Sequence, residues 1–269
     1  METSRLAGTG LTFAYDDRVV IDDVDIVVPD GSFTVIIGPN ASGKSTLLKT
    51  LSKMVSPKAG SVVLDGKDIH RYSTKEIARR LSLLPQSALV PSQITVGDLV
   101  ARGRFPHQSI FRRWSVEDEH VVAEAMTLTG VADIAHRYVD ELSGGQRQRA
   151  WLAMVLAQQT RIVLLDEPTT YLDIAHQYDV LDLCAGLRRD REQTLVAVLH
   201  DLNQSCRYAT HLVVMSEGAI VATGRPEDVV SAPLVADVFG LPCTVVPDPV
   251  TGTPMIIPSA RAARTTPSP

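Results

Sequence analysis

The chain has 269 residues, 45% of them apolar and 21% charged, with a formal net charge of −5, which fits a globular protein and argues against a general nucleic-acid binder, whose charge would be basic. Three cysteines, Cys184, Cys206 and Cys243, show no C-x-x-C spacing, so a zinc ribbon or disulfide scaffold is disfavoured and a reducing compartment fits. The first ten residues lack the pattern of a signal peptide, and no apolar run reaches the roughly 18–20 residues that span a bilayer, so service to a membrane would need a separate spanning partner.

In chain order, residues 11–15 and 24–28 alternate or run apolar, as strands do. Pro29-Asp30-Gly31 marks a turn. Residues 33–37 are mostly apolar and rich in β-branched side chains, the pattern of a buried strand, and they empty into a glycine-rich loop with a helix after it at 45–51. A strand at 61–64 meets the Asp65-Gly66 turn, a helix covers 74–80 and a short strand 81–84. Residues 87–142 differ in character: Pro91, Pro106, a basic stretch and helical periodicity over 116–128 predict a mostly helical insert. A strong helix is expected at 147–157, buried strands at 162–165 and 195–199, and a helix at 174–187 between them. Buried strands alternating with helices predict an α/β fold, a mostly parallel sheet covered on both faces. Beyond Gly240, Pro, Thr and Ser accumulate, and the composition predicts a disordered end at 260–269.

Gly38-Pro39-Asn40-Ala41-Ser42-Gly43-Lys44-Ser45 fits the pattern G-x-x-x-x-G-K-[ST], with Thr46 next in the helix. Glycines permit the close backbone approach that lets successive N–H groups surround phosphate oxygens at a helix N-terminus. Lys44 reaches the β- and γ-phosphates in such a loop, and the Ser45 hydroxyl suits Mg²⁺. Asp166 and Glu167 stand at the end of the strand at 162–165, where ligands of parallel sheets bind. Asp166 is the candidate metal ligand and Glu167 the group that polarises or positions an attacking water. Taken alone the acidic pair is a common loop feature; beside the phosphate loop it gains meaning.

Leu142-Ser143-Gly144-Gly145-Gln146 precedes a helix, with Ser143 as a plausible N-cap and glycines exposing N–H groups to an anion. With this second phosphate-type turn the chain resembles the ABC ATPase family over nearly its whole length up to about Gly240. The resemblance implies a P-loop NTPase core with a mostly parallel sheet, an N-terminal antiparallel β subdomain and a helical insert at about 87–142. It implies that the Ser143–Gln146 turn closes on the γ-phosphate held by another copy, so that two chains sandwich two ATP molecules head to tail. Tyr15 takes the place of an aromatic that stacks on adenine, and Gln86 that of a glutamine sensing Mg²⁺ and water. Asp173 falls in the loop that crosses the dimer interface, and His200 where a histidine contacts the γ-phosphate. Taken singly, Tyr15 reads equally well as a core tyrosine, and Gln86 or His200 as structural. Ala41 departs from the glycine common in the loop, and Thr170 and Tyr171 stand where many members have Ser and Ala or Gly.

Two stretches, 95–107 and 169–177, are similar to the branch of the family that imports iron chelates and vitamin B12. This implies a homodimeric ATP hydrolase on the cytoplasmic face of the cell membrane, using ATP and Mg²⁺. Polytopic permease subunits would be direct partners and an extracytoplasmic substrate-binding protein an indirect one. Ferric siderophore is the first expectation for cargo, with haem, vitamin B12, an exporter motor or a non-transport iron–sulfur assembly ATPase as alternatives. Residues 6–240 are expected to form the ATP-binding domain and 241–269 a tail. Arg102, Arg104, Arg112 and Arg113 form a basic cluster in the insert, read either as a solvated surface or as a face near the permease-docking groove.

Overall fold

The computed structural model describes residues 4–86, 93–108 and 114–259. Alternation of apolar and polar residues builds the first sheet. Strands β1 (Leu6–Tyr15) and β2 (Arg18–Val28) pair antiparallel, and Leu11, Ile21, Val24 and Val28 turn their side chains inward. Strand β3 (Phe33–Ile37) is buried on both faces. Helix α1 (Lys44–Leu51) follows it, and Leu47, Leu48 and Leu51 are fully buried among Leu6 and Ile21 from one side and Val196 and Val213 from the other. Strands β4 (Ala59–Leu64) and β5 (Lys67–Asp68) complete a four-stranded antiparallel sheet ordered β2-β1-β4-β5. Helix α2 (Thr74–Ala78), opened by a Ser73–Glu76 capping box, leads into β6 (Leu81–Leu84).

The insert contains α3 (Val96–Ala101), a 3₁₀ stretch Arg102–His107 and α4 (Val116–Leu128). Its small core packs Val96, Leu99, Val121 and Val122 against Ala150 and Ala153 of α5 (Gly144–Ala157). Strand β7 (Ile162–Asp166), helix α6 (Ile174–Arg191), strand β8 (Thr194–Val198), helix α7 (Leu202–Tyr208) and strands β9 (His211–Ser216) and β10 (Ala219–Gly224) complete the main body. The main sheet runs β10-β9-β3-β8-β7-β6, parallel throughout except for the antiparallel β9–β10 edge. Period-two alternation serves two cores: Ile162, Leu164, Val196 and Val198 face α1, whereas Val163, Leu165, Leu195 and Ala197 face α5 and α6. Short helices α8 (Pro226–Val229) and α9 (Ala232–Phe239) precede a hairpin of β11 (Cys243–Pro247) and β12 (Pro254–Pro258).

Two details differ from the sequence reading. Helix α5 begins at Gly144, three residues before the predicted start, because the Ser143 side chain caps it and Gln146 bonds back to the Ser143 N–H. Residues 243–258, where no element was expected, form the hairpin, and Ile256 is buried against Cys206 and Val235. The predicted disordered end, 260–269, lies outside the described residues, as do Arg112 and Arg113.

The basic cluster is also corrected. Arg104 is no surface residue: it is 2% exposed, and its Nε donates to Asp118 Oδ1 at 2.7 Å. Its Nη1 donates to the Ala157 carbonyl and to Gln159 Oε1, both at 2.9 Å. An arginine that satisfies so many acceptors from one planar fork ties the 3₁₀ stretch, α4 and the end of α5 together. Burial pushes the Asp118 carboxyl up, but hydrogen bonds from Arg104 and Ser115 more than reverse this and hold it below the usual range.

Removing one member of a buried pair leaves the other charge uncompensated. Arg104→Leu is therefore expected to lower stability by about 3–5 kcal/mol, read by urea unfolding. Because the folded Asp118 pKa is depressed, its share of stability is present above the unfolded value and fades as pH falls through the folded one. The stability difference between wild type and Asp118→Asn should thus shrink on acidification, and a difference that grew would contradict the assignment.

Candidate active site

Parallel strands deliver their C-terminal ends to one edge of the sheet. Gly38 follows β3, Gln86 follows β6, Glu167 follows β7 and His200 follows β8, so four separate segments converge. The loop at 38–45 needs glycine at two places. A Cβ on Gly38 would sit 2.2 Å from the Met215 carbonyl oxygen, and Gly43 adopts φ +98° as the N-cap of α1 with the Val20 carbonyl 2.8 Å from where a Cβ would lie. Lys44 opens the helix and is buried; its Nζ donates to the carbonyls of Gly38 at 2.9 Å and Pro39 at 2.7 Å. Burial pulls its pKa down, partly offset by the charges of Glu167 and Asp166. Ala41, the departure from glycine, holds φ +64°.

Asp166 is 1% exposed and accepts from Ser45 Oγ at 2.7 Å through Oδ1. Burial raises its pKa, and the Ser45 bond, the charge of Lys49 and a backbone bond from Gln86 work against that rise. Its Oδ2 is buried with no protein partner. Glu167 stands at φ +55°, a left-handed conformation that is costly for a side chain with a Cβ. Its Oε1 meets His200 Nε2 at 2.7 Å and its Oε2 accepts from Thr170 Oγ1 at 3.1 Å. Burial raises the Glu167 pKa, but the bond and charge of His200, with hydrogen bonds from Gln86 and Thr170, bring it below the usual carboxylate range.

A cavity of about 630 Å³ runs from Tyr15 past Asn40, Lys44 and Thr46 to Glu167 and His200. Tyr15 is half exposed at the far end, its ring edge-on to Phe13 at 4.9 Å, so it is not the core tyrosine of the alternative reading. Five more residues line this cavity that the sequence reading did not single out: Arg18, Val19, Val20, Glu217 and Gly218. The available signal was the Glu217-Gly218 dipeptide between two strands; its Gly218 N–H bonds to the Ser42 carbonyl and its carbonyl accepts from Asp22 N–H, clamping the loop to β2.

Ser143, Gly144, Gly145 and Gln146 do not line that cavity. They form the capped start of α5 and pack against the loop at 170–173: a Cβ on Gly144 would lie 3.2 Å from Tyr171 Cβ, and one on Gly145 3.1 Å from Leu172 Cδ2. Asp173 caps α6, accepting from His176 N–H at 2.9 Å and meeting His176 Nδ1 at 2.7 Å. Tyr171 is 76% exposed at φ +67°. Tyr15, Lys44, Ser45, Glu167 and His200 thus line the cavity, with Asp166 bonded to Ser45 behind it. Gln86 lines a neighbouring cavity with Gly144 and Tyr171, and Ser143–Gln146 and Asp173 stay outside the first.

Residues 21–170 match the family model described as ABC transporter. Ferric enterobactin transport ATP-binding protein FepC of Escherichia coli (strain K12) is 55% identical, over 98% of this chain and 97% of its own length. Petrobactin import ATP-binding protein FpuD of Bacillus anthracis is 46% identical, over 98% of this chain and 95% of its own. Among solved structures, a transporter described as of the metal-chelate type, in an inward-facing conformation, superposes with a TM-score of 0.82 at 25% identity, covering 96% of this chain and 99% of that one. The cassette MJ0796 in a dimeric post-hydrolysis state with ADP and Pi shares the fold, with a TM-score of 0.73 at 23% identity over 82% of this chain and 98% of that one. The chain belongs to the ABC transporter family. Within it, this is an ATP-binding subunit, an ATPase with the P-loop core, antiparallel sheet and helical insert of that class.

A left-handed alanine is disfavoured by about 1 kcal/mol relative to glycine. Ala41→Gly should therefore raise the melting temperature by roughly 2–4 °C while leaving the loop able to bind nucleotide. A fall in melting temperature would show that the Ala41 methyl makes a contact worth more than the strain.

Proposed function

We propose that this chain energises uptake of an iron–siderophore complex, hydrolysing ATP as a homodimer seated on the cytoplasmic face of permease subunits. The relatives' cargo carries this reading: two proteins matched over nearly the full chain are named for ferric enterobactin and petrobactin. No described helix is long and apolar enough to cross a membrane, which suits a subunit that docks on spanning partners. An extracytoplasmic binding protein would then deliver cargo to those partners, and the net charge of −5 gives no reason to add nucleic acid. Residues 6–240 are read as the ATP-binding domain, with the hairpin beyond as an appendage to it.

Adenine stacks on Tyr15, whose ring is half exposed at the mouth of the cavity. The amides of Gly38, Pro39, Asn40, Ala41, Ser42, Gly43, Lys44, Ser45 and Thr46 are the candidate phosphate donors, except that Pro39 contributes only backbone shape. Lys44 neutralises phosphate charge once its ammonium turns from the loop carbonyls. An all-oxygen set of Ser45 hydroxyl, Asp166 carboxylate and Gln86 amide fits Mg²⁺, and the unpartnered Asp166 Oδ2 needs such a ligand. Mg²⁺ would supply charge neutralisation between the terminal phosphates.

Glu167, ionised at neutral pH by its depressed pKa, orients water for in-line attack on the γ-phosphorus. His200, held to Glu167 at 2.7 Å, fixes that carboxylate and donates toward the transferring group. The Ser143–Gln146 turn and Asp173 act on the ATP of the other copy, since they lie outside their own chain's cavity.

Glu167→Gln should still bind ATP and dimerise, with turnover lowered by about 10²–10⁴-fold; near-normal phosphate release would remove Glu167 from this role. Lys44→Ala should weaken nucleotide binding, and unchanged affinity would sink the loop assignment. Cells lacking the protein should recover uptake of radiolabelled ferric siderophore with wild type but not with Glu167→Gln. Uptake indifferent to both would end the iron reading and leave the ATPase.

A further inference from the structure

Between the loop bearing Asp173 and the helix that follows His200 runs a polar bridge that no step above uses. Gln177, in the first turn of α6, donates from Nε2 to the Leu172 carbonyl at 3.1 Å. Its Oε1 accepts from Gln204 Nε2 at 2.8 Å. Gln204 is 6% exposed in the first turn of α7, and its N–H is capped by Asp201 Oδ1 at 2.7 Å. Helix α7 starts two residues after His200. One residue earlier in the helix, Asn203 grips β12 with both ends of its amide: Oδ1 accepts from Ile256 N–H at 2.7 Å and Nδ2 donates to the Ile256 carbonyl at 3.2 Å. The start of α7 is therefore held on one side by the loop at 170–173 and on the other by the C-terminal hairpin.

Two glutamines are a poor choice for merely filling this space. A leucine pair of similar size would bury more apolar surface and lose less side-chain freedom. What amides add is direction, because each bond fixes one backbone segment relative to another. The two segments in question carry the two partners of one pair: Thr170, which bonds Glu167 Oε2, and His200, which meets Oε1.

We propose that Gln177 and Gln204 are positioning residues for hydrolysis: their amide bridge locks the 170–173 loop to α7, so that pressure from a second copy on Asp173 is delivered to the His200–Glu167 pair. The β11–β12 hairpin, gripped by Asn203, is the abutment that stops α7 from simply yielding. This rests on the dimer and on the roles given to Glu167 and His200.

The test is steady-state ATP hydrolysis by the full-length chain carrying Gln177→Leu, Gln204→Leu, both together, or Asn203→Leu, with Glu167→Gln alongside. Each glutamine variant should lose roughly tenfold in kcat with KM for ATP within about twofold of wild type. The double variant should be no slower than either single, as expected for two ends of one link, and Asn203→Leu should mimic them. Losses that multiply in the double variant, or variants that melt earlier yet keep kcat, would overturn the bridge. If Glu167→Gln retains turnover, the hydrolytic reading fails by itself; if it is inactive while the glutamine variants behave as wild type, only the bridge is lost.

Discussion

Asp166 and Glu167 are adjacent carboxylates at the end of a buried strand, and the site exists only because their repulsion is resolved by sending them to different partners. The left-handed backbone at Glu167, φ +55°, turns the chain sharply after β7, so the two side chains leave the strand in different directions. Asp166 stays with Ser45 in the protein interior, where burial raises its pKa. Glu167 goes to His200, Thr170 and Gln86, whose bonds outweigh its own burial and lower it. The neighbouring acids are thus shifted in opposite directions. Strain of this kind persists only when surrounding contacts over-determine it, and the bonds from Thr170 and His200 do so here.

The remaining architecture follows from what that corner requires. Four strand ends must converge, which a parallel sheet provides, and helices must cover both faces of such a sheet. The chain meets the second demand asymmetrically. On one face α1 lies beneath an additional antiparallel sheet; on the other, α5 and α6 carry the insert and the capped turn at Ser143. The capped turn therefore lies outside its own chain's main cavity, with Gln86 at the end of β6 beside it.

Most of this was legible in the sequence wherever one strong local rule governed. Strands 33–37 and 81–84 and the helix at 116–128 stand at their predicted bounds because mostly apolar runs and helical periodicity leave little choice. The loop at 38–45 was readable because a phosphate-loop pattern is contiguous in sequence. What escaped depends on partners distant in sequence. Arg104 reads as one of four basic residues until α4 brings Asp118 against it. The hairpin at 243–258, rich in proline, has no self-evident register; Asn203, fifty residues upstream, supplies it by hydrogen-bonding Ile256. Arg18 and Glu217 reach the cavity through two turns that no spacing rule connects.

The burial of α1 has a mechanical consequence. Leu47, Leu48 and Leu51 are gripped from both sides, by strands of the antiparallel sheet and by strands of the main sheet. Close-packed interiors transmit load and do not give locally. The loop in front of α1 is thus an anvil: it cannot retreat when a nucleotide is pressed into it.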